Sequence, residues 1–276
     1  MWTLLFTASL GGNCFSKLSS NRLEKGGSYS VFFTLNGGIA CLFFLISSGF
    51  RLQLNGITAL FAVVFAGVVL LALYSTMTAL QSLPIAHLSI INNTATLLLT
   101  SLLGAVLFKE ALDWRVALRI LLMLIAGFLI FWERKGTEQP KKFPLLPLAG
   151  CIAAGLGNYL VLRFYTQLPH KASNSSFFFY TNAILVILAI GYLIVTRQKF
   201  RISLRDSLPF TANTLCSNAS SLIGILLIAR TEAVFYNPVS SALTTLAVLL
   251  ASILFKEKIG IRSCLAAGLA ILAVVL

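Results

Sequence analysis

Apolar residues fall in runs of about 18–23 along the whole chain, the length a helix needs to cross ~30 Å of hydrocarbon. The pattern predicts ten membrane spans: 2–18, 29–48, 57–79, 86–108, 114–132, 145–165, 175–196, 208–228, 234–255 and 259–276. The polar stretches between them are short, the longest running from Glu133 to Phe143 (ERKGTEQPKKF). None can bury a core of its own, so no appended soluble domain is expected. The first span begins within a few residues of Met1 and shows no small-residue cleavage site, so it reads as a retained helix rather than a signal peptide.

Composition agrees with the pattern. Apolar residues make up 58% of the chain and charged ones only 11%, whereas a soluble domain needs many charges to cover its wet surface. The net charge of +13 raises the question of nucleic acid. The Lys and Arg sit in short runs at helix ends, however, which is how topology and headgroup contact are set. A nucleic-acid binder needs a continuous basic face on a folded module, and none is present. The five cysteines (Cys14, Cys41, Cys151, Cys216, Cys264) all fall inside predicted spans without CxxC spacing. They read as buried small apolar residues, not as disulfides or metal ligands. No GxxxxGK[ST] loop occurs, and His87 and His170 lie on distant segments. An enzyme is not expected, nor is any metal or other cofactor.

The chain also repeats itself. Phe108-Lys109-Glu110 recurs 147 residues later as Phe255-Lys256-Glu257. At that offset Arg115, Leu118, Leu122 and Ala126 also meet identical residues. Gly12-Asn13 recurs as Gly157-Asn158, and Phe32-Phe33-Thr34-Leu35-Asn36 is echoed by Phe178-Phe179-Tyr180-Thr181-Asn182. The offset drifts by one residue per segment, in order, as a duplication would leave it. The predicted units are residues 1–132 and 145–276, joined by a charged linker, 133–144. Each half carries five spans, an odd number, so the second must enter the bilayer from the opposite side. The expected fold is therefore an all-α integral membrane protein of ten transmembrane helices in two inverted five-helix repeats, the architecture of alternating-access transporters.

Tyr74 to Leu80 (YSTMTAL), Pro84, a polar fourth span and Phe108-Lys109-Glu110 before Trp114 carry a family resemblance, and a second copy runs from Leu226 through Phe255-Lys256-Glu257 to Leu276. On these residues the chain resembles the drug/metabolite transporter superfamily, in particular its ten-span EamA-type members, over essentially its whole length. The first half is also similar to small multidrug resistance proteins, with Lys17-Leu18-Ser19 ending span 1. Those proteins place a proton- and drug-binding glutamate eight residues before that lysine, where this chain has Ser9. The resemblance implies a multi-pass protein of the cell membrane that moves a small molecule, as a monomer or homodimer.

Polar groups inside a bilayer are costly unless paired or facing a cavity. The candidate substrate-binding residues are Asn13, Asn36, Tyr74, Asn92, Asn93, Asn158, Tyr159, Asn182, Asn218 and Asn237. The competing reading is that each Asn glues one helix to the next. Phe177-Phe178-Phe179 reads as a lipid-facing or interfacial cluster. For Arg119 and Arg163, about one turn inside spans 5 and 6, snorkelling to headgroups competes with anion binding. All eight carboxylates (Glu24, Glu110, Asp113, Glu133, Glu138, Asp206, Glu232, Glu257) fall in loops or at helix ends. The sequence thus points to a secondary transporter or exporter of small organic solutes, amino-acid-like or other metabolites. The alternatives are a drug or lipophilic-cation exporter and a non-transport scaffold or receptor subunit.

Overall fold

A helix satisfies its own backbone hydrogen bonds, which lipid cannot do, and this is why long apolar runs fold as helices. The computed structural model describes residues 1–23, 29–80, 85–107, 113–133, 145–196, 204–254 and 261–276. Among these residues there is no strand. The helices are α1 (Trp2–Leu23), α2 (Tyr29–Ser47), α3 (Gly56–Leu80), α4 (Ile85–Leu107), α5 (Trp114–Glu133), α6 (Leu145–Gln167), α7 (Asn174–Thr196), α8 (Leu204–Arg230), α9 (Ala233–Leu254) and α10 (Ile261–Val275). Each predicted span meets one of them, and the largest shift is at the end of α1, which runs on to Leu23. Among the described residues, four helical segments are long and apolar enough to cross a membrane: Gly56–Thr76, Leu145–Gln167, Asn174–Val195 and Ser207–Arg230. The chain accordingly reads as a membrane protein. Pro84, both Phe-Lys-Glu triplets, linker residues 134–144 and the His87 side chain lie outside the described residues.

Helix starts follow local chemistry. Asn55 caps α3, its Oδ1 accepting from the Thr58 N–H at 2.7 Å. Ser173 caps α7, its Oγ accepting from the Ser176 N–H at 3.2 Å. Beyond α2 the chain turns through a left-handed pair, Gly49 (φ 62°) and Phe50 (φ 62°). The Phe50 N–H then reaches back to the Leu45 carbonyl at 3.0 Å and closes the helix end.

The described chain forms two compact units that cut across the sequence halves: Met1–Gly67 with Arg163–Leu226, and Val68–Leu162 with Leu227–Leu276. In the first, α2 packs on α7. Gly37 faces Val186 and the Asn182 carbonyl. Cys41 lies 3.8 Å from the Phe179 carbonyl, Phe44 stacks on Phe178 at 5.0 Å, and Ser47 meets Ser175 at 3.1 Å. Advancing along α2 means retreating along α7, so the two run antiparallel. Asn182, whose carbonyl faces Gly37, stands 146 residues after Asn36.

Phe177 is 0% exposed and Phe178 3%, so two of the three phenylalanines of the expected lipid-facing or interfacial cluster do not face lipid but lie in the core. Tyr165 stacks on Phe177 at 4.3 Å, and Phe65 adds a further ring at 5.3 Å. The fully buried Tyr165 hydroxyl donates to the Ala172 carbonyl at 2.8 Å. The Ala172 N–H donates to Thr58 Oγ1 at 3.2 Å, and Asn55 Nδ2 donates to the His170 carbonyl at 2.7 Å. This network fastens the α6–α7 turn to the start of α3. In the same turn the Lys171 ammonium donates to the Thr166 carbonyl, and partial burial pushes its pKa down.

In the second unit α4 packs on α9, and α5 on α10. Ala126 clusters with Ala266, and Met123 with Ala273 among others. Stepping back along α5 therefore steps forward along α10, again antiparallel. Leu122 and Leu269, which stand 147 residues apart, pack against these clusters. Apolar side chains also line the outside of the helices, including Leu60, Val63 and Val64 on α3 and Ile187, Ile194 and Val195 on α7. Of the cysteines, Cys151 is buried, but Cys264 is exposed, against the expectation that all five are buried.

The α2–α7 contact gives a direct test. A Cβ on Gly37 would stand 2.5 Å from Val186 Cγ2, whereas one on Gly38 meets nothing within 4 Å. Gly37→Val is expected to cost about 1–3 kcal/mol and lower Tm in detergent, while Gly38→Ala leaves Tm unchanged. Val186→Ala should restore part of the Gly37→Val loss. Equal effects at the two glycines would mean the helices do not approach closely at Gly37.

Candidate functional site

The candidate residues divide between the two units. In the first unit, three asparagines turn back on their own helices. Asn13 Nδ2 donates to the Ser9 carbonyl at 2.9 Å, Asn182 Nδ2 to Phe178 at 2.8 Å, and Asn218 Nδ2 to Thr214 at 2.8 Å. These bonds tie no helix to its neighbour, so the glue role expected of them does not apply. Asn36 does link helices, by its contact with the Thr214 hydroxyl on α8. That hydroxyl also lies 2.8 Å from the Phe210 carbonyl, and one hydrogen cannot serve two acceptors. Turning the Asn36 amide over resolves this: Nδ2 then donates to Thr214 Oγ1, and the hydroxyl donates to Phe210. Ser9 and Ser220 meet at 3.3 Å one turn from Asn13. The polar face of this unit thus comprises α1, α2 and α8 side chains.

The second unit holds the less satisfied set. On α4 the run Asn92-Asn93-Thr94-x-Thr96 is packed on three sides. Thr94 Oγ1 sits over Gly127 of α5, and Thr96 Oγ1 over Gly155 of α6; a Cβ at either glycine would come within 2.6 Å of the hydroxyl. On the third side Ser241 of α9 donates to the Asn93 carbonyl at 3.2 Å. Ser241 is next to position 240, which stands 147 residues after Asn93. Asn92 Oδ1, Asn93 Nδ2, Thr94 Oγ1, Thr96 Oγ1 and Asn237 Nδ2 are buried without hydrogen-bond partners. Each such group costs about 1–3 kcal/mol relative to a satisfied one. Native proteins keep few, and those few call for an explanation. Threonines seated on glycine are explained by close helix packing. The three amide groups are not, and they supply one acceptor and two donors.

The remaining candidates fall elsewhere. Tyr159 on α6 is buried, 6% exposed. Tyr74 is 74% exposed on α3 and Asn158 is exposed on α6, so neither joins the buried amides. Among aromatics considered as a ligand platform, Tyr165 belongs to the core stack and Trp114 is 64% exposed. Sequence reasoning passed over Thr94 and Thr96, although both belong to the same polar run as Asn92-Asn93. Of the two readings open for Arg119, headgroup snorkelling fits poorly: the residue is only 6% exposed, its guanidinium 4.4 Å above the Phe235 ring. Among the described residues no group of His, Cys, Asp and Glu gathers as a metal site would require.

No protein-family model matches the chain, and no curated protein does. A crystal structure described only as that of a protein superposes with a TM-score of 0.74, covering 99% of this chain and 94% of that one. At 14% identity the likeness establishes a shared fold and nothing finer.

The two kinds of asparagine should separate in a melting experiment. Asn36→Leu removes a satisfied interhelical bond and is expected to destabilise by about 1 kcal/mol. Asn237→Leu removes an unpaired buried donor, so Tm should hold or rise. A loss at Asn237→Leu as large as that at Asn36→Leu would make the Asn237 amide a structural group.

Proposed function

We propose that the chain is a secondary transporter of small organic solutes, amino-acid-like or other metabolites, working by alternating access between two inverted five-helix halves in the cell membrane. The observation that carries this reading is the way repeat-equivalent helices meet. A two-fold axis in the membrane plane makes equivalent helices cross antiparallel, with equivalent residues at the crossing. The α2–α7 contact at Gly37 and Asn182 fits that rule, as does α5–α10 around Leu122 and Leu269. The α4–α9 contact at Asn93 and Ser241 joins near-equivalent positions as well. An inverted repeat brings its substrate site to the meeting of the halves, and the unpaired amides of Asn92, Asn93 and Asn237 lie on the α4–α9 pair. A scaffold gives no reason to keep unpaired amides inside a membrane helix. The test is uptake and exchange in proteoliposomes across a panel of amino acids and nucleosides. Asn93→Leu with Asn237→Leu should abolish transport while the protein still melts cooperatively; transport unchanged in that variant would remove the site.

Coupling follows from the carboxylates. A proton relay in the membrane ordinarily uses an ionisable carboxylate at depth, and every Asp and Glu here lies in a loop or near a helix end. Facilitated diffusion or exchange is expected, with little stimulation by an imposed pH gradient. Obligatory proton coupling would contradict this and direct attention to His87 and Glu232.

Orientation follows from the basic residues. A ten-span topology would put the basic residues of the linker (Arg134, Lys135, Lys141, Lys142) and of the segment between spans 7 and 8 (Arg197, Lys199, Arg201) on the side opposite both termini. Positive charge favours the cytoplasm, which places both termini outside, against the habit of the EamA-type proteins the chain resembles. A single cysteine introduced at 135–142 in a cysteine-free background should resist an impermeant reagent in intact cells. Ready labelling there reverses the assignment.

A further inference from the structure

Arg119 is the sixth residue of α5 and is 6% exposed. Its guanidinium stacks 4.4 Å from the Phe235 ring, and its Nε is buried without a hydrogen bond. No carboxylate among the described residues pairs with it. The two nearest in sequence on these helices are otherwise placed: Asp113 Oδ1 accepts from the Trp114 N–H at 2.7 Å, and Glu232 precedes α9 as an exposed residue. A ring quadrupole offsets only part of the cost of burying an ion.

Three further features make the position costly for a cation alone. Arg119 lies in the second turn of α5, toward the positive end of the helix dipole, where cations are disfavoured. Phe235 is in the first turn of α9, so a second helix N-terminus is close to the guanidinium. Arg115 stands one turn earlier on the same face of α5, a like charge at the spacing where repulsion is felt. Burial, dipoles and like charge all raise the energy of the bare guanidinium, and a single anion would relieve all three.

We propose that Arg119, with Arg115 and the N-terminal turns of α5 and α9, forms an oxyanion site that takes a carboxylate or phosphate group. Arg119 supplies a planar fork that can hold two oxygens at once, and the Phe235 ring fixes the plane of that fork. The group can come from a soluble metabolite or from the headgroup of an anionic lipid. The site is independent of the transport reading, since it concerns binding alone.

The experiment uses the full chain purified in a neutral detergent. Tm is followed while inorganic phosphate, acetate or dioctanoyl phosphatidylglycerol is titrated in, with sodium chloride at matched ionic strength as the reference. At least one of the three anions is expected to raise Tm of the wild type beyond chloride. Stabilisation by phosphate or acetate marks a soluble ligand; stabilisation by the phosphatidylglycerol alone marks a lipid headgroup. Arg119→Gln should weaken the apparent affinity about tenfold or more, as expected for losing a charge-assisted pair. Arg119→Lys, which keeps the charge but not the fork, should weaken it less. If Arg119→Gln does not fold, the Arg119→Lys comparison stands alone and must still show weakened binding. No stabilisation beyond chloride, or affinities unchanged in the variants, overturns the proposal.

Discussion

A helix in lipid consumes its own backbone hydrogen bonds and leaves its polar side chains with no water to turn to. Everything specific about this chain follows from how those side chains are then disposed of. Most are retired locally: Asn13, Asn182 and Asn218 each donate back one turn to a carbonyl of the same helix, and Thr181, Thr211 and Thr245 do likewise. Such bonds quiet a donor without committing one helix to another. Other polar contacts join helices, among them Asn36 with Thr214, Ser9 with Ser220, Ser47 with Ser175 and Ser241 with Asn93. Close approach at glycine adds to them, at Gly37 against Val186 and at Gly155 against Thr96.

Helix positions were legible in the sequence because apolar length is dictated by membrane thickness, and each predicted span meets a helix. Burial was not legible, for a physical reason. In water, apolar content separates core from surface. In a bilayer both are apolar, so Phe177-Phe178-Phe179 reads as lipid-facing while Phe177 and Phe178 are among the most buried residues. The same ambiguity hides Tyr165, whose hydroxyl anchors the α6–α7 turn through Ala172 and Thr58. Asparagine is different, since it stands out in any apolar run. The sequence marks where amides occur but not which are satisfied, because that depends on the neighbour one turn back or across a crossing. Asn182 and Asn237 look alike as residues, yet one amide is bonded and the other is not. Tyr74 and Asn158, chosen by the same logic, are exposed.

Side-chain length explains the case of Arg119. From sequence, an arginine one turn inside a span can extend its chain toward the headgroups. That freedom requires an open path along the helix surface. Here the guanidinium stacks on Phe235 of α9. Snorkelling is a property of the neighbours as much as of the residue.

The distribution of charge then limits what the interior can hold. With the carboxylates at helix ends and loops, no fixed negative charge is available within the spans. Among the described residues of the second unit, the buried polar atoms without a hydrogen bond include amide atoms of Asn92, Asn93 and Asn237, the Thr94 and Thr96 hydroxyls and the Arg119 Nε. A lipophilic cation entering such an interior would shed its hydration and meet only dipoles, with a buried positive charge opposing it. A neutral or zwitterionic solute meets donors and acceptors without that penalty. An anionic group meets an attractive guanidinium in low dielectric, where a charge-assisted bond is strongest. On the proposal that the chain carries small solutes, cations would therefore be the class such an interior disfavours, and a carboxylate or phosphate group the one that Arg119 would favour.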